Sequence, residues 1–453
     1  KYLGSGLIRG IGPVYAKKIV DHFKEQTLDI IDQTPERLTE IGGIGKKRIE
    51  MIRTAWHEQR IVRNIMIFLQ SHNISLNLSA RIYKTYGADS IRVMNEDPFR
   101  LALDIHGVGF KTADRIAQSM GIAPDSPQRI RAGVLHILNE ASAEEGHTFL
   151  FEDELVKIGM ELLCVPVESI LSAVEDLIRD ERIVKEYPET ARPAFFPKAI
   201  HICESGIARM FLSLTSQKRR PLRPHCENDI TDFEKKFGFT LAEKQRDAVR
   251  EAMNGGILVI TGGPGTGKTT IVRAIIHLLS MGHLRIRCAA PTGRAAKRIE
   301  ETTGMEATTI HRLLKFQPRD GKFQYNEFNP LPLDLLIVDE TSMVDVILGY
   351  HLMKAIPLGA SLIFVGDADQ LPSVGPGNFL QDLIQCGIIP VIRLNEIFRQ
   401  ARMSLIVVNS HRIIHGEFPV IPEPEKSRAS DFFFIEKQEP EAALEAIVRL
   451  VKE

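Results

Sequence analysis

The sequence predicts an α/β core, a parallel sheet flanked by helices, preceded by an all-helical front end. Three observations carry this. An apolar run, Ile257-Leu258-Val259-Ile260, leads into a glycine-rich loop and then a helix-like stretch from Ile271 to Leu279. Two further apolar runs, Leu333–Val338 and Ser361–Val365, end abruptly in polar residues, as buried parallel strands do. Residues 1 to 120 carry a different pattern, a helical unit repeated around Gly-apolar-Gly turns.

Composition sets the outer bounds. A chain of 453 residues suggests roughly three or four domains. Its hydrophobic fraction of 44% and charged fraction of 25% are those of ordinary globular proteins, and a net charge of −1 excludes a uniformly basic one. Any nucleic-acid contact must therefore come from local patches. Five cysteines (Cys164, Cys203, Cys226, Cys288, Cys386) lack C-x-x-C spacing and read as reduced thiols in a cytoplasmic protein, not a zinc site. No apolar run approaches the ~20 residues that span a bilayer, and no signal peptide is visible. The chain starts at Lys1, without a methionine, and reads as a piece of a longer protein.

In the front region the turns are Gly10-Ile11-Gly12, Gly43-Ile44-Gly45 and Gly107-Val108-Gly109. Glycine permits the positive φ of such a turn and leaves N–H groups at a helix start, suited to one DNA phosphate. Lys17, Lys18, Lys46, Lys47, Arg48, Lys111 and Arg115 follow the turns, where phosphate charge would lie. Residues 1–120 hold 18 Lys and Arg against 13 Asp and Glu. That excess favours backbone grip (1–120) over a purely structural helical bundle. Residues 121–200 read as helices over Ile130–Asn139, Leu155–Leu163 and Val167–Arg182, then a short strand near 181–187. This suggests a winged-helix-like connecting domain. Residues 201–236, with the basic, proline-punctuated Lys218–Pro224, read as a linker.

The α/β core spans 237–395. Gly262-Gly263-Pro264-Gly265-Thr266-Gly267-Lys268-Thr269-Thr270, between strand and helix, is a phosphate-binding loop. Its backbone N–H groups would close around phosphates, Lys268 would reach the terminal ones, and Thr269 would place a hydroxyl on Mg²⁺. About 20 residues earlier, Gln245 can hydrogen-bond both edges of an adenine, unless it is simply an exposed helical glutamine. Asp339 and Glu340 end a buried strand: Asp339 would hold Mg²⁺ through its water shell, and Glu340 would polarise the attacking water. Gln370, also at a strand end, can sense the terminal phosphate. Arg399 stands where the first lobe should hand over to a second, and its guanidinium could stabilise phosphoryl transfer. Pro291, Thr292 and Arg294, then His311, offer strand-end contacts for nucleic acid, although a threonine at a helix start also serves as a cap. Asp320-Gly321 between aromatics marks a hairpin near 315–330, either a pin against which duplex splits or a plain surface hairpin.

Taken together these motifs resemble superfamily 1 helicases, specifically the RecD-like branch in its long form with helix–hairpin–helix repeats. The resemblance implies a RecA-like P-loop NTPase lobe using ATP and Mg²⁺. Gln245 looks like the Q-motif glutamine, and Lys268 and Thr269 like the motif I pair. Pro291–Arg294 match motif Ia, Asp339 and Glu340 motif II, Gly366–Gln370 motif III, and Arg399 motif IV. It further implies 5′ to 3′ movement on single-stranded DNA, contact with fork duplex, work in repair or recombination, and a monomer with no membrane attachment. A single-strand-binding protein is a candidate partner. Motifs V and VI find no counterpart, so 396–453 reads as the start of an incomplete second lobe. Two alternatives stay open: an ATPase that remodels or signals on DNA without unwinding, and a passive DNA-binding module with a vestigial ATPase. The residues alone establish an ATPase coupled to a nucleic-acid backbone.

Overall fold

The computed structural model describes residue 11 and residues 13–188, 191–217, 221–224, 227–280, 282–396, 404–421 and 430–452. It divides into two compact units, residues 1–137 with 152–182, and residues 138–151 with 183–453. Among the described residues, no helix is long and apolar enough to cross a membrane.

Every described element of the first unit is a helix. Ile19, Phe23, Ile30, Ile31, Leu38, Ile41, Ile44, Ile49 and Ile52 form one buried cluster. The middle residue of each described turn, Ile44 or Val108, is buried, while the flanking glycines stay exposed. The apolar residue thus anchors the turn from inside, and the glycines leave its backbone open to solvent. Gly43 (φ +94°) and Gly107 (φ +75°) occupy the left-handed region, where a Cβ would be strained. The second glycines, Gly45 and Gly109, are the N-caps of helices Lys46–Ser71 and Phe110–Ser119, and neither helix has a side-chain cap. Helices Pro127–Glu144, Glu152–Leu163 and Val167–Arg179 follow, close to the predicted spans.

Arg129 is nearly inaccessible, and its guanidinium makes four hydrogen bonds. It donates to Asp114 from Nε at 2.7 Å and Nη2 at 3.0 Å, and from Nη1 to the carbonyls of Pro124 and Leu163. A buried charge held this way avoids the desolvation penalty of an unpaired one.

The second unit opens with a three-stranded antiparallel sheet. Strands β1 (Leu150–Phe151), β2 (Ile183–Glu186) and β3 (Ala194–Pro197) pair in the order β1-β3-β2. The main sheet has six parallel strands: β4 (Ile257–Gly262), β5 (Ile286–Ala290), β6 (Ala307–Thr309), β9 (Leu335–Val338), β10 (Ser361–Gly366) and β11 (Val391–Leu394). Their order is β11-β4-β10-β9-β5-β6. Between β6 and β9 lies the hairpin of β7 (Phe316–Gln317) and β8 (Lys322–Phe323), in which Phe316 faces Phe323 and Gly321 takes φ +63°.

Both faces of the sheet are covered, which is why its strands are apolar throughout. Leu258, Ile260, Ile337, Ile363 and Val365 pack with Val249, Ile271 and Ile275 on one side. The alternate residues Val259, Leu336, Val338 and Phe364 pack with Phe211, Leu352 and Phe379 on the other. This is the RecA-like α/β lobe that the sequence predicts.

The predicted linker, 201–236, is not one. Helix Lys198–Thr215 buries Ile207 and Phe211 against the sheet, and helix Glu227–Phe237 buries Ile230 and Phe233. Even the proline-punctuated piece is fastened, with Leu222 N–H donating to the Met253 carbonyl and Arg223 pairing with Asp229 at 2.7 Å. Apolar residues at helical spacing (Ile200, Cys203, Ile207, Phe211) override the local signal of prolines and arginines. Beyond the sheet, the described elements of 396–453 are helices Leu405–Ile414 and Pro440–Lys452.

Candidate nucleotide cleft and nucleic-acid contacts

Parallel strands bring their carboxyl ends to one edge of the sheet, and the candidate chemistry gathers there. Strand β4 delivers the loop 263–267, and Gly267, in the left-handed region, is the N-cap of helix Lys268–Leu279. Gly265 is also left-handed at φ +76°. Gly262 is demanded by space instead: a Cβ there would lie 2.8 Å from the Leu394 carbonyl oxygen and from Thr266 Oγ1. A cleft of about 690 Å³ is lined by Phe239, Thr240, Gln245, Gly263–Thr270, Arg298, Asp339, Glu340 and Gln370.

Lys268 reaches back over its own loop, donating from Nζ to the carbonyls of Gly262 and, at 3.2 Å, Gly263. Burial lowers its pKa, against the opposing pull of Asp367, Glu340 and Asp339. An ammonium held by two carbonyls with acids nearby is well placed to exchange those partners for phosphate oxygens. Thr266 Oγ1 donates to the Gly263 carbonyl at 2.8 Å, which tightens the loop.

Asp339 sits at the end of β9, where burial raises its carboxyl pKa although the Glu340 N–H donates to its Oδ1 at 2.8 Å. Glu340 has φ +52°, an uncommon conformation for a residue with a side chain. Strain of this kind clusters at functional sites. Arg298 Nη1 lies 3.9 Å from its carboxylate. Gln370 bridges Ser342 and Asp367, each at 3.4 Å, and the buried Asp367 also accepts from the Asp369 N–H.

Gln245 is not an exposed helical glutamine. This residue is 2% exposed, and both ends of its amide are engaged by backbone: Oε1 accepts from Ala242 N–H at 3.1 Å and Nε2 donates to the Thr266 carbonyl at 3.0 Å. As positioned, it braces the phosphate loop while still lining the cleft.

An Mg²⁺ ion takes oxygen ligands and keeps most of its waters, so one carboxylate, one hydroxyl and substrate phosphates suffice. Asp339 and the Thr269 hydroxyl, both lining the cleft, are an oxygen-only set of that kind. No group of three or more His, Cys, Asp or Glu fit to hold a metal occurs among the described residues.

The predicted nucleic-acid residues fall in two places. Pro291, Thr292 and Arg294 follow β5, and His311 follows β6, all at the carboxyl edge of the sheet. Thr292 caps its helix, accepting from Ala295 N–H at 3.3 Å, whereas Arg294 and His311 are exposed. The glycines Gly43, Gly45, Gly107 and Gly109 belong to the first unit. Gly10, Gly12 and Arg399 lie outside the described residues. Phe239, Thr240 and Arg298 line the cleft without having been singled out from sequence, since no motif marks them.

Three stretches of the chain match known families. Residues 245–376 match the family described as AAA domain, 58–149 the ATP-dependent RecD2 DNA helicase HHH domain, and 7–58 the SAM-like helix-hairpin-helix tandem. The chain is 33% identical over 424 residues to the ATP-dependent RecD2 DNA helicase of Deinococcus radiodurans, covering 91% of this chain and 58% of that protein. It is 39% identical over 180 residues to the RecBCD enzyme subunit RecD of Mycolicibacterium smegmatis, covering 34% of this chain and 32% of that one. The chain thus spans well under two thirds of either relative. Among solved structures, the Pif1 helicase from Candida albicans shares 25% identity over 41% of this chain and 50% of that one, at a TM-score of 0.33. In the order and kind of its parts the chain is similar to the RecD2 helicase, with a stretch matching the RecD2 helix–hairpin–helix domain followed by one matching the AAA domain.

Proposed function

We propose that this chain forms the nucleotide-binding half of an ATP-dependent DNA helicase that moves 5′ to 3′ on single-stranded DNA. The observation that carries this is the convergence of Lys268, Thr269, Asp339, Glu340 and Gln370 on one cleft at the carboxyl edge of the sheet. In this reading Lys268 leaves the loop carbonyls for the terminal phosphates of ATP, and Glu340 accepts a proton from the attacking water. Thr269 and Asp339 would hold Mg²⁺, and the ion would supply positive charge against the phosphates. Gln370 couples the terminal phosphate to Asp367 and Ser342, and Arg399 supplies a cation from the chain beyond β11. Arg294 and His311 meet single-stranded DNA at the same sheet edge, while the exposed turns at Gly43–Gly45 and Gly107–Gly109 grip backbone phosphates.

The same reading includes a cytoplasmic monomer acting in repair or recombination, with a single-strand-binding protein as a partner. Displacement of a labelled strand from forks bearing a 5′ or a 3′ tail tests it. Unwinding from the 5′ tail alone supports the proposal. DNA-stimulated hydrolysis without displacement from either tail would make the protein a DNA-remodelling ATPase instead.

A further inference from the structure

Gly263 poses a question that the phosphate loop alone does not answer. Unlike Gly265 and Gly267, it is not in the left-handed region, so its conformation does not demand glycine. What excludes a side chain is a neighbour far along the chain. A Cβ at Gly263 would lie 2.7 Å from Cε1 and 3.2 Å from Nε2 of His411. The same Nε2 lies 3.4 Å from the carbonyl oxygen of Pro264. A carbonyl can only accept, so Nε2 must carry the hydrogen.

His411 is held in place from several directions. Its helix, Leu405–Ile414, is capped by Ser404, which accepts from Val407 N–H, and by Asp431, which accepts from Leu405 N–H at 2.8 Å. The buried Asn409 exchanges two hydrogen bonds with the backbone of Val420, and Arg412 donates to the Phe418 carbonyl at 2.8 Å.

We propose that His411 is a positioning residue for the phosphate loop. In a trans peptide the C=O and N–H point in opposite directions, and the described chain has no cis peptide. Holding the Pro264 carbonyl toward the imidazole therefore turns the Gly265 N–H away from it, into the loop where a phosphate would accept it. The imidazole belongs to the segment after β11, so it also ties the loop to chain outside the sheet. The inference rests on the nucleotide reading of the cleft.

The test is binding of a fluorescent ADP analogue (mant-ADP) with Mg²⁺ to the full chain. His411→Ala is expected to weaken binding about three- to tenfold, the effect of losing one hydrogen bond. His411→Gln, which carries a donor at similar reach, should stay within roughly twofold of the parent. His411→Phe, a ring without a donor, should fall with the alanine variant. Gly263→Ala should weaken binding more in the parent than in the His411→Ala background, because the clash partner is gone there. Equal melting temperatures separate these effects from unfolding. Unchanged binding in His411→Ala, or a His411→Gln variant as weak as His411→Ala, overturns the inference while leaving the cleft intact. A parent chain that fails to bind mant-ADP at all instead overturns the nucleotide reading on which the inference stands.

Discussion

Gln245 donates its side-chain amide to the carbonyl of Thr266 at 3.0 Å, linking helix Glu243–Met253 to the phosphate loop across 21 residues of sequence. Its Oε1 meanwhile accepts from Ala242 N–H at the start of that helix. Brace and cap are thus one side chain. If this is its role, Gln245→Ala should weaken ATP and GTP binding by similar factors, roughly tenfold for the buried hydrogen bonds lost. Competition titrations with the two nucleotides read this directly. A loss confined to ATP would return Gln245 to the adenine.

Asp339 gives a pH dependence with a definite sign. Burial raises its carboxyl pKa, so the folded chain binds this proton more readily than the unfolded one. That proton's contribution to stability is full at low pH and is lost as pH rises from the ordinary carboxylate value through the raised one. Asp339→Asn removes the buried charge and keeps an acceptor for the Glu340 N–H. Without nucleotide the variant should melt higher than the parent near pH 7.5. The gap should close as the buffer is acidified, and Mg²⁺-dependent nucleotide binding should be lost. A parent that melts higher than the variant at neutral pH would contradict this electrostatic account.

In the first unit, the ion pair of Asp114 with Arg129 is the most exposed to a single change. Asp114→Ala strands a guanidinium that is 6% accessible, and leaving a buried charge unpaired costs about 3–5 kcal/mol. Urea denaturation should show an earlier transition for the helical unit, with the sheet-containing unit unmoved. A shift below roughly 1 kcal/mol would place the pair at the solvent-screened end of the range.

Phosphate grip at the exposed turns predicts a salt signature. Lys46, Lys47 and Lys111 lie in the first turns of helices that begin at Gly45 and Gly109 and lack side-chain caps. Each lysine replaced by alanine should lower the slope of log affinity against log salt by about 0.9 on duplex DNA. Binding should weaken equally on unrelated sequences. An unchanged slope would make these turns structural only.

Legibility in the sequence followed the range of the physics. The phosphate loop, β9 with Asp339 and Glu340, and the Gly321 hairpin were readable because strand, turn and helix each leave a local pattern. The glycine turns were readable for the same reason, and the structure adds that Ile44 and Val108 bury while the glycines face out. Gln245 stood out by its spacing from the loop, yet its hydrogen bonds depend on where Thr266 sits, which spacing does not encode. Residues 201–236 were misread because prolines and arginines outweighed a helical stripe whose partner, Phe364, lies over 150 residues away. His411 left no local trace at all. Its significance is a contact with Gly263, and such a contact exists only once the chain is folded.

The central claim is that this cleft hydrolyses ATP and that nucleic acid drives the turnover. Its most direct test is ATP hydrolysis by the full-length protein with and without single-stranded DNA, comparing the parent with Glu340→Gln and Lys268→Ala. The account expects DNA to stimulate the parent. Glu340→Gln should bind nucleotide normally yet lose turnover by about 10²-fold or more, as for removal of a general base. Lys268→Ala should lose binding and turnover together. Stimulated hydrolysis that persists in both variants would contradict the assignment of this cleft as the catalytic site.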